Sequence, residues 1–425
     1  MLKDQRNRLF RNFSSLGIIQ VANFLLSLVV IPFVVRRVGA DGFGIIAVAQ
    51  VVVFYLSVLT DYGFNRTAIR DIAIYRHEKG KISQVFFTVL ASKLLLSLFA
   101  FVLLLLLVWF IPFFRQHMAV YLLAFPFVIG QAFLINWFFQ GMERMHFMAA
   151  ASLFSRLLFV VLVLFFIKDR DGTALYIFFM GLGNIMAGLV SIYFAVKWYH
   201  LKWTLPTRAG IYHEIREGWQ VTLSNISMTT CQYSGLFILR LFTNDTVVGY
   251  YSIAEKVYFA MKLMLDVFTQ SVYPRVCRLL QEGMDLVVAF FRQAYLPFLA
   301  MVVAGSAIVF AMAPLIIGFL LGYPNEHTAY LLRMLCMATV VVCLNIPACL
   351  LLLAGDHKKN YLRIFAGGTL LNIAANLLLA PVLEATGTVL AVIITELFIT
   401  AGLYWESYRI YKPRADGQQV KDFKR

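Results

Sequence analysis

The sequence predicts an all-α polytopic membrane protein, with about 12 transmembrane helices as two pseudo-symmetric six-helix bundles around a central cleft. Three observations lead there. Apolar residues make up 61% of the 425-residue chain and charged residues 14%, against about 45–50% and 25% in soluble domains. The apolar residues form continuous runs, each near the roughly 20 residues that a helix needs to cross a bilayer. The first half of the chain also recurs in the second at a shift of 205 positions.

The expected spans are 10–35, 43–64, 85–111, 118–140, 147–167, 173–197, 218–241, 247–271, 287–313, 328–354, 360–382 and 387–408. They lack the period-2 alternation of a barrel strand. The segments 247–271 and 360–382 are the ones that carry charges or many polar residues. The longest polar stretches, 65–83 and 198–217, are too short to bury a core of their own. The chain therefore divides into a bundle over 1–200, a linker over 201–217 and a second bundle over 218–425 that ends in a short basic tail. The Lys- and Arg-rich start, Met1 to Arg11, precedes an apolar run from Phe13 to Val35. That run is too long for a signal-peptide core and ends without a small-residue cleavage site, so it reads as an uncleaved first helix.

The formal net charge is +15, which on its own would suggest a nucleic-acid partner. Placement argues otherwise. With the N-terminus taken as cytoplasmic, 26 Lys and Arg fall on the cytoplasmic side and six on the outer side: Arg36, Arg37, Arg115, Lys168, Arg170 and Arg240. This is the positive-inside bias. It puts both termini in the cytoplasm, requires an even number of crossings, and makes most of the basic excess topological. The five cysteines, Cys231, Cys277, Cys336, Cys343 and Cys349, have no metal-ligand spacing and read as small apolar fillers.

The repeat pairs Gly44 with Gly249, Ala49 with Ala254, Asp61 with Asp266 and Arg70 with Arg275. Gly17, Gln20 and Ser27 correspond to Thr222, Asn225 and Gln232. With a small gap, Gly141-x-Glu143 resembles Gly355-Asp356. Six crossings return a chain to its starting side, so the halves share one orientation and their axis runs along the membrane normal. Two such bundles enclose a cleft that can open to one side at a time.

Ionisable groups at membrane depth cost at least about 2.5–3.5 kcal/mol each and persist where they face water or a partner. Arg156 lies mid-way along the fifth helix and Glu396 mid-way along the twelfth; these two have the least room to reach water and are assigned to the cavity. Lys93, one turn from Ser97, and Arg333 either snorkel to an interface or face the cavity. Asp61 and Asp266 lie near helix ends, where a loop cation would satisfy them. Glu255, Lys262 and Asp266 share one face, and Lys262 with Asp266 has the spacing of an i,i+4 pair. Polar stripes run along the first helix (Gln20, Asn23, Ser27), the seventh (Thr222, Asn225, Thr229, Gln232) and the eleventh (Thr369, Asn372, Asn376). Such stripes more often join helices than bind a guest, although the first two occupy equivalent places facing the other half. Pro32, Pro126, Pro314 and Pro347 mark candidate kinks.

Catalytic signatures are missing. There is no phosphate-binding P-loop, no H-E-x-x-H and no nucleophile elbow. Gly39-x-x-Gly42-x-Gly44 lies between two membrane helices and reads as a tight outer turn. His77-Glu78 and His213-Glu214 fall in polar loops. The chain is therefore expected to be no enzyme, with no cofactor and no metal.

The ordered motifs carry a family resemblance. They run from Arg11-Asn12-Phe13 through Gly17, Gln20 and Pro32 to Val38-Gly39-Ala40-Asp41-Gly42-Phe43-Gly44 and Leu59-Thr60-Asp61-Tyr62-Gly63-Phe64. Gln140-Gly141-Met142-Glu143-Arg144, Val248-Gly249-Tyr250-Tyr251, Tyr273-Pro274, Leu353-Ala354-Gly355 and Asn372 to Asn376 follow. In this order the chain resembles the Wzx-type O-antigen and polysaccharide flippases of the multidrug/oligosaccharidyl-lipid/polysaccharide exporter superfamily. The resemblance implies a bacterial inner-membrane protein that moves an undecaprenyl-pyrophosphate-type lipid-linked oligosaccharide to the outer leaflet by alternating access. It implies a cationic cavity, for which Arg156, Lys262, Lys93 and Arg333 are the candidates, with Asn225 beside them. It also implies ion coupling, for which Asp61, Glu255 and Glu396 are the candidates. The protein is expected to be a monomer able to associate with a glycan polymerase and to bind no nucleic acid. The rival readings are a multidrug or small-molecule cation antiporter of the same superfamily and a membrane assembly factor that moves nothing.

Overall fold

A computed structural model describes the backbone of residues 2–169 and 172–411. It describes the side chains of Leu26 and of residues 29–411, apart from those of Arg66, Arg170, Asp171, Gln220, Ser224 and Cys231. The stripe Gln20, Asn23 and Ser27, the side chains of the motif from Arg11 to Gly17, and the basic tail beyond residue 411 therefore lie outside the described residues.

Every described element is a helix. In chain order they are α1 (Leu2–Asp61), α2 (Phe64–Ile74), α3 (Lys79–Phe110), α4 (Pro112–Gln116), α5 (Met118–Phe133), α6 (Asn136–Gly141) and α7 (Met145–Phe166). Then come α8 (Gly172–Tyr199), α9 (Arg208–Phe242), α10 (Asp245–Glu282) and α11 (Met284–Phe290). A π-turn over Phe291–Tyr295 leads into α12 (Leu296–Leu321), and α13 (Glu326–Ala354) and α14 (Lys358–Tyr411) complete the chain. The starts of α9, α10 and α13 are capped from the side chain, as free helical N–H groups require. Thr207 accepts from the Gly210 amide at 3.1 Å, Asn244 from Val247 at 3.0 Å and Asn325 from Thr328 at 2.8 Å.

α3 shows the environment these helices are built for. Its polar residues Ser83, Thr88, Ser92, Lys93 and Ser97 are buried, while Leu98, Phe99, Trp109 and Phe110 are exposed. This inverts the pattern of a water-soluble helix and suits a lipid surround, where only the backbone must be satisfied internally. Eight helical stretches among the described residues are long and apolar enough to cross a membrane, fewer than the twelve expected. α9 and α10 fall outside on composition because polar and charged residues interrupt them. α14 carries two of the expected spans, 360–382 and 387–408, as two helices that meet at a kink at Glu384, whose φ is 51°.

α1 likewise joins two expected spans. The expected glycine-rich outer turn falls at Gly39 (φ 79°), where the backbone leaves the helical conformation and two helices meet at a kink. Glycine tolerates that φ because it has no Cβ. The prolines do not mark the breaks: Pro32, Pro126, Pro314 and Pro347 all lie within helical backbone.

The duplicated loops fold alike. Glu143 and Asp356 both take left-handed φ values, 57° and 60°. Each is followed by a backbone bond that closes the turn: the Arg144 amide donates to Phe139 at 2.8 Å and the His357 amide to Leu352 at 2.9 Å. This is the Schellman helix ending, and it recurs at the two places paired by the sequence repeat.

The structure has two distinct faces. On the basic face, the 65–83, 140–146 and 198–217 segments meet: Arg76 pairs with Glu143 at 3.0 Å, Arg70 with Glu217 at 3.3 Å, and the Lys202 amide donates to Ser83 at 3.1 Å. On the opposite face, Arg36 donates to the Phe319 carbonyl, Arg37 to that of Ile167, and His117 lies 3.3 Å from Asp245. There α1 packs along α10 and touches α12.

Candidate functional site: a buried polar cluster between α1, α7, α8, α10, α13 and α14

The site starts from one glutamine. Gln50, 7% exposed, is the lone polar residue in the apolar stretch Ile45–Phe54 of α1. An unpaired amide at this depth would cost several kcal/mol, and Gln50 has partners on two other helices. Its Oε1 accepts from Lys256 Nζ of α10 at 3.1 Å. Its Nε2 points at the Met180 sulfur of α8 at 3.6 Å. Tyr176 of α8 lies beside Gln50, within electrostatic reach of Arg156 on α7. Arg156 stands over the Phe159 ring at 5.3 Å and reaches Lys256 electrostatically.

One residue before Lys256, Glu255 is 4% exposed and lies beside Tyr251 one turn back. Lys262 acts on Glu255 and stands 5.5 Å from the centre of the Tyr258 ring. Lys262 also lies 3.7 Å from Glu396 of α14. Asn345 of α13 donates to Glu396 at 3.2 Å and accepts from Thr400, and Thr400 in turn donates to the Glu396 carbonyl at 2.6 Å. The second glutamate is thereby held by three neighbours.

The cluster thus joins Gln50, Arg156 and Tyr176 from the first half with Glu255, Lys256, Lys262, Asn345 and Glu396 from the second. Its charges are three cations and two carboxylates.

Four of the expected site residues meet here: Arg156, Lys262, Glu255 and Glu396. The others go elsewhere. Lys93 is 1% exposed, so it does not snorkel; its Nζ bonds Asp61 at 2.7 Å and reaches the Gln131 carbonyl at 3.5 Å. Ser97 bonds the Lys93 backbone carbonyl, not its amine. Asp61 is therefore satisfied by a residue of α3 and not by a loop cation. Arg333 donates to the Phe310 carbonyl of α12 at 3.4 Å and stacks near that ring. Asn225 sits half-buried on α9. Lys262 turns to Glu396, so the expected i,i+4 pair with Asp266 is not its ion pair. The eleventh-helix stripe joins helices: Asn372 accepts from Ser234 of α9 at 3.4 Å and donates to Thr395 at 3.1 Å, and Asn376 donates to Asn372 at 2.9 Å.

Sequence reasoning missed Gln50 and Lys256 as site residues. A signal for one was present: the 205-residue shift pairs Gln50 with Glu255. The repeat thus sets a polar residue at the same depth in both halves.

A family profile described as polysaccharide biosynthesis protein matches residues 9–280. The chain belongs to this family. Relatives named "Putative O-antigen transporter" are found in Escherichia coli (strain K12) and Shigella dysenteriae. Each is 24% identical over 92% of this chain, covering 94% and 97% of the relative. Among solved structures, a lipid II flippase, MurJ, in an inward closed conformation aligns with a TM-score of 0.75 at 13% identity, over 93% of this chain and 87% of that one. An inward-facing multidrug resistance MATE family transporter of the MOP superfamily aligns with a TM-score of 0.67 at 15% identity, over 92% and 94%. As a member of the polysaccharide biosynthesis family, the chain therefore has the all-α fold of MOP superfamily transporters. The buried cluster lies between helices of its two repeats.

Proposed function

We propose that this protein is a flippase that carries a polyprenyl-pyrophosphate-linked oligosaccharide, an O-antigen or other surface polysaccharide repeat unit, across the bacterial inner membrane. The observation that carries this reading is the cluster around Gln50 and Lys256. It puts more cations than carboxylates at membrane depth, where each must find a partner or a polar guest. A pyrophosphate and sugar hydroxyls suit that lining, because charge-assisted bonds to phosphate oxygens are strong in a dry site. The lipid tail would remain in the bilayer. The names of the relatives and the flippase among the structural neighbours support the same reading, and transport rather than catalysis fits a chain of helices with this fold.

Two six-helix units, 1–200 and 218–425, joined by the 201–217 linker, would rock about the cluster and expose it to one side at a time. Both termini and the basic face would be cytoplasmic under the positive-inside bias. Glu255 and Glu396 are the coupling candidates that belong to the cluster, whereas the Asp61–Lys93 pair fits a structural role better. Pairing of α1 with α10 on the opposite face and its Arg36 and Arg37 contacts support an arrangement closed to the outside. Working as a monomer, the protein could still hand its cargo to a glycan polymerase.

The test is to delete the gene and locate the lipid-linked repeat unit. Accumulation in the cytoplasmic leaflet, relieved by the wild-type gene and not by Arg156→Ala, is the expected result. Normal surface glycan in the deletion strain, with altered drug tolerance instead, would contradict the proposal.

A further inference from the structure

A second cationic site lies on the basic face, away from the central cluster. A cavity of about 240 Å³ opens between the turn that links α2 to α3 and the end of α8, lined by Arg76, His77, Lys79, Trp198, Tyr199 and His200 with the apolar Ile82 and Leu201. Four of these eight carry or can carry positive charge, and none is acidic. Arg76 has a counter-ion, Glu143, which is itself 77% exposed. Lys79, His77 and His200 have no side-chain hydrogen-bond or ion-pair partner among the described residues. The nearby Glu78 is engaged by Lys81 at 3.0 Å. Two aromatic residues line the cavity, Tyr199 and Trp198, and Trp198 is 45% exposed, as residues at the level of lipid headgroups tend to be.

The backbone around the cavity is shaped by His200. It ends α8 with φ at 51°, and the Leu201 amide then donates to Val196 at 3.1 Å. Glycine is the usual residue at this position of a Schellman ending, and a non-glycine there is uncommon. Strain of this kind tends to persist where it serves a site. Here it presents an imidazole to a cavity already holding Arg76, His77 and Lys79.

We infer that this cavity binds the phosphate-bearing headgroup of a lipid in the adjacent leaflet. The chemistry fits: a basic pocket at the end of a membrane helix, lined by Trp198 and Tyr199, accepts a phosphate while the acyl chains lie against the apolar helix surface. The site is separate from the transport cluster and does not depend on what that cluster carries.

Native mass spectrometry of the full-length protein in detergent tests this, with phosphatidylglycerol, phosphatidylcholine, farnesyl diphosphate and inorganic phosphate as separate probes. Retention of phosphatidylglycerol over phosphatidylcholine identifies a phospholipid headgroup. Preferential retention of farnesyl diphosphate identifies an isoprenoid one, and either result supports the inference. Lys79→Glu should weaken the retained lipid by at least about fivefold, the effect of one basic residue near a membrane surface. Lys81→Glu, an equal charge change beside the cavity, should not. His200→Gly relieves the backbone strain, so a purely structural His200 would give a protein as stable as wild type with unchanged lipid retention. The inference expects equal or higher stability together with weaker retention. Equal loss in the Lys79→Glu and Lys81→Glu variants, undiminished retention in His200→Gly, or full displacement of lipid by millimolar inorganic phosphate would overturn it.

Discussion

Gly44 and Gly249, paired by the 205-residue repeat, face each other where α1 crosses α10. A Cβ on Gly44 would strike the Asp245 carbonyl oxygen and come within 2.9 Å of the Gly249 amide nitrogen; a Cβ on Gly249 would strike the Ala40 carbonyl. The equivalent residues of the two repeats thus make a close backbone contact on the opposite face. Small residues permit this approach between membrane helices.

Enlarging either glycine should wedge that contact open. Gly44→Val or Gly249→Val should destabilise the closed arrangement by about 1–3 kcal/mol, the usual cost of overpacking. A cysteine introduced beside Gln50 should then become reactive to a membrane-impermeant thiol reagent added from outside. Unchanged labelling and unchanged export would show that the contact does not govern access.

Lys93 and Asp61 form a pair whose disruption should be felt as stability. Removing one partner leaves the other charge stranded, and Lys93→Met should cost about 3 kcal/mol, the lower end for a buried pair because Asp61 keeps a quarter of its exposure. Lys93→Met with Asp61→Asn should recover most of the loss. The thermal midpoints of the purified single and double variants decide this. Midpoints that add instead of compensating would show that the two residues act separately.

Glu396 should be separable from the fold. A glutamine there keeps an oxygen for the Asn345 donor and the backbone bond from Thr400 and gives up the 3.7 Å pair with the partly exposed Lys262, so Glu396→Gln should insert as wild type does and lose at most about 1 kcal/mol. If the carboxylate carries coupling protons, its export should no longer respond to an imposed proton gradient. A preserved gradient response would assign Glu396 to packing alone.

Glu214 supplies a pH dependence outside the membrane. Burial is the main cause that pushes its carboxyl above the ordinary range, followed by the nearby Asp71. A raised folded-state value means that the folded protein holds the proton more tightly than the unfolded chain does. The penalty is therefore absent below the unfolded carboxyl value of about 4.3 and grows as pH rises through the folded one. Glu214→Gln should raise the thermal midpoint at pH 7.5, and its advantage should shrink as the pH is lowered toward 4. An advantage independent of pH would point to a cause other than this proton.

Much of this fold was legible in continuous apolar runs, because crossing a bilayer demands length and apolarity from each helix separately. The duplicated turn at Glu143 and Asp356 was legible for the same local reason: a left-handed helix ending depends on a few consecutive residues. The spans over α9 and α10 were expected as apolar runs of membrane-crossing length, yet their polar residues deprive them of the composition that marks the eight apolar stretches. Side-chain partners were less legible. Arg156, Lys262, Glu255 and Glu396 stood out because charges are rare at that depth, and they do converge. Lys93 had snorkelling as an alternative to the cavity; its partner Asp61 lies 32 residues away on α1, a pairing that depends on how α1 and α3 pack. Gln50 looked unremarkable beside those charges, and only the packing of α1 on α10 gives it Lys256.

The measurement that bears most directly on the central claim is leaflet exchange by the purified protein. Proteoliposomes carrying a lipid-linked oligosaccharide should expose on their outer surface, to a membrane-impermeant glycosidase, sugar that is protected in protein-free vesicles. The wild-type protein should clear the protected fraction, and Arg156→Ala and Lys256→Ala, folded and inserted, should leave it in place. Equal protection with and without the wild-type protein, under an imposed ion gradient in either direction, would contradict the account.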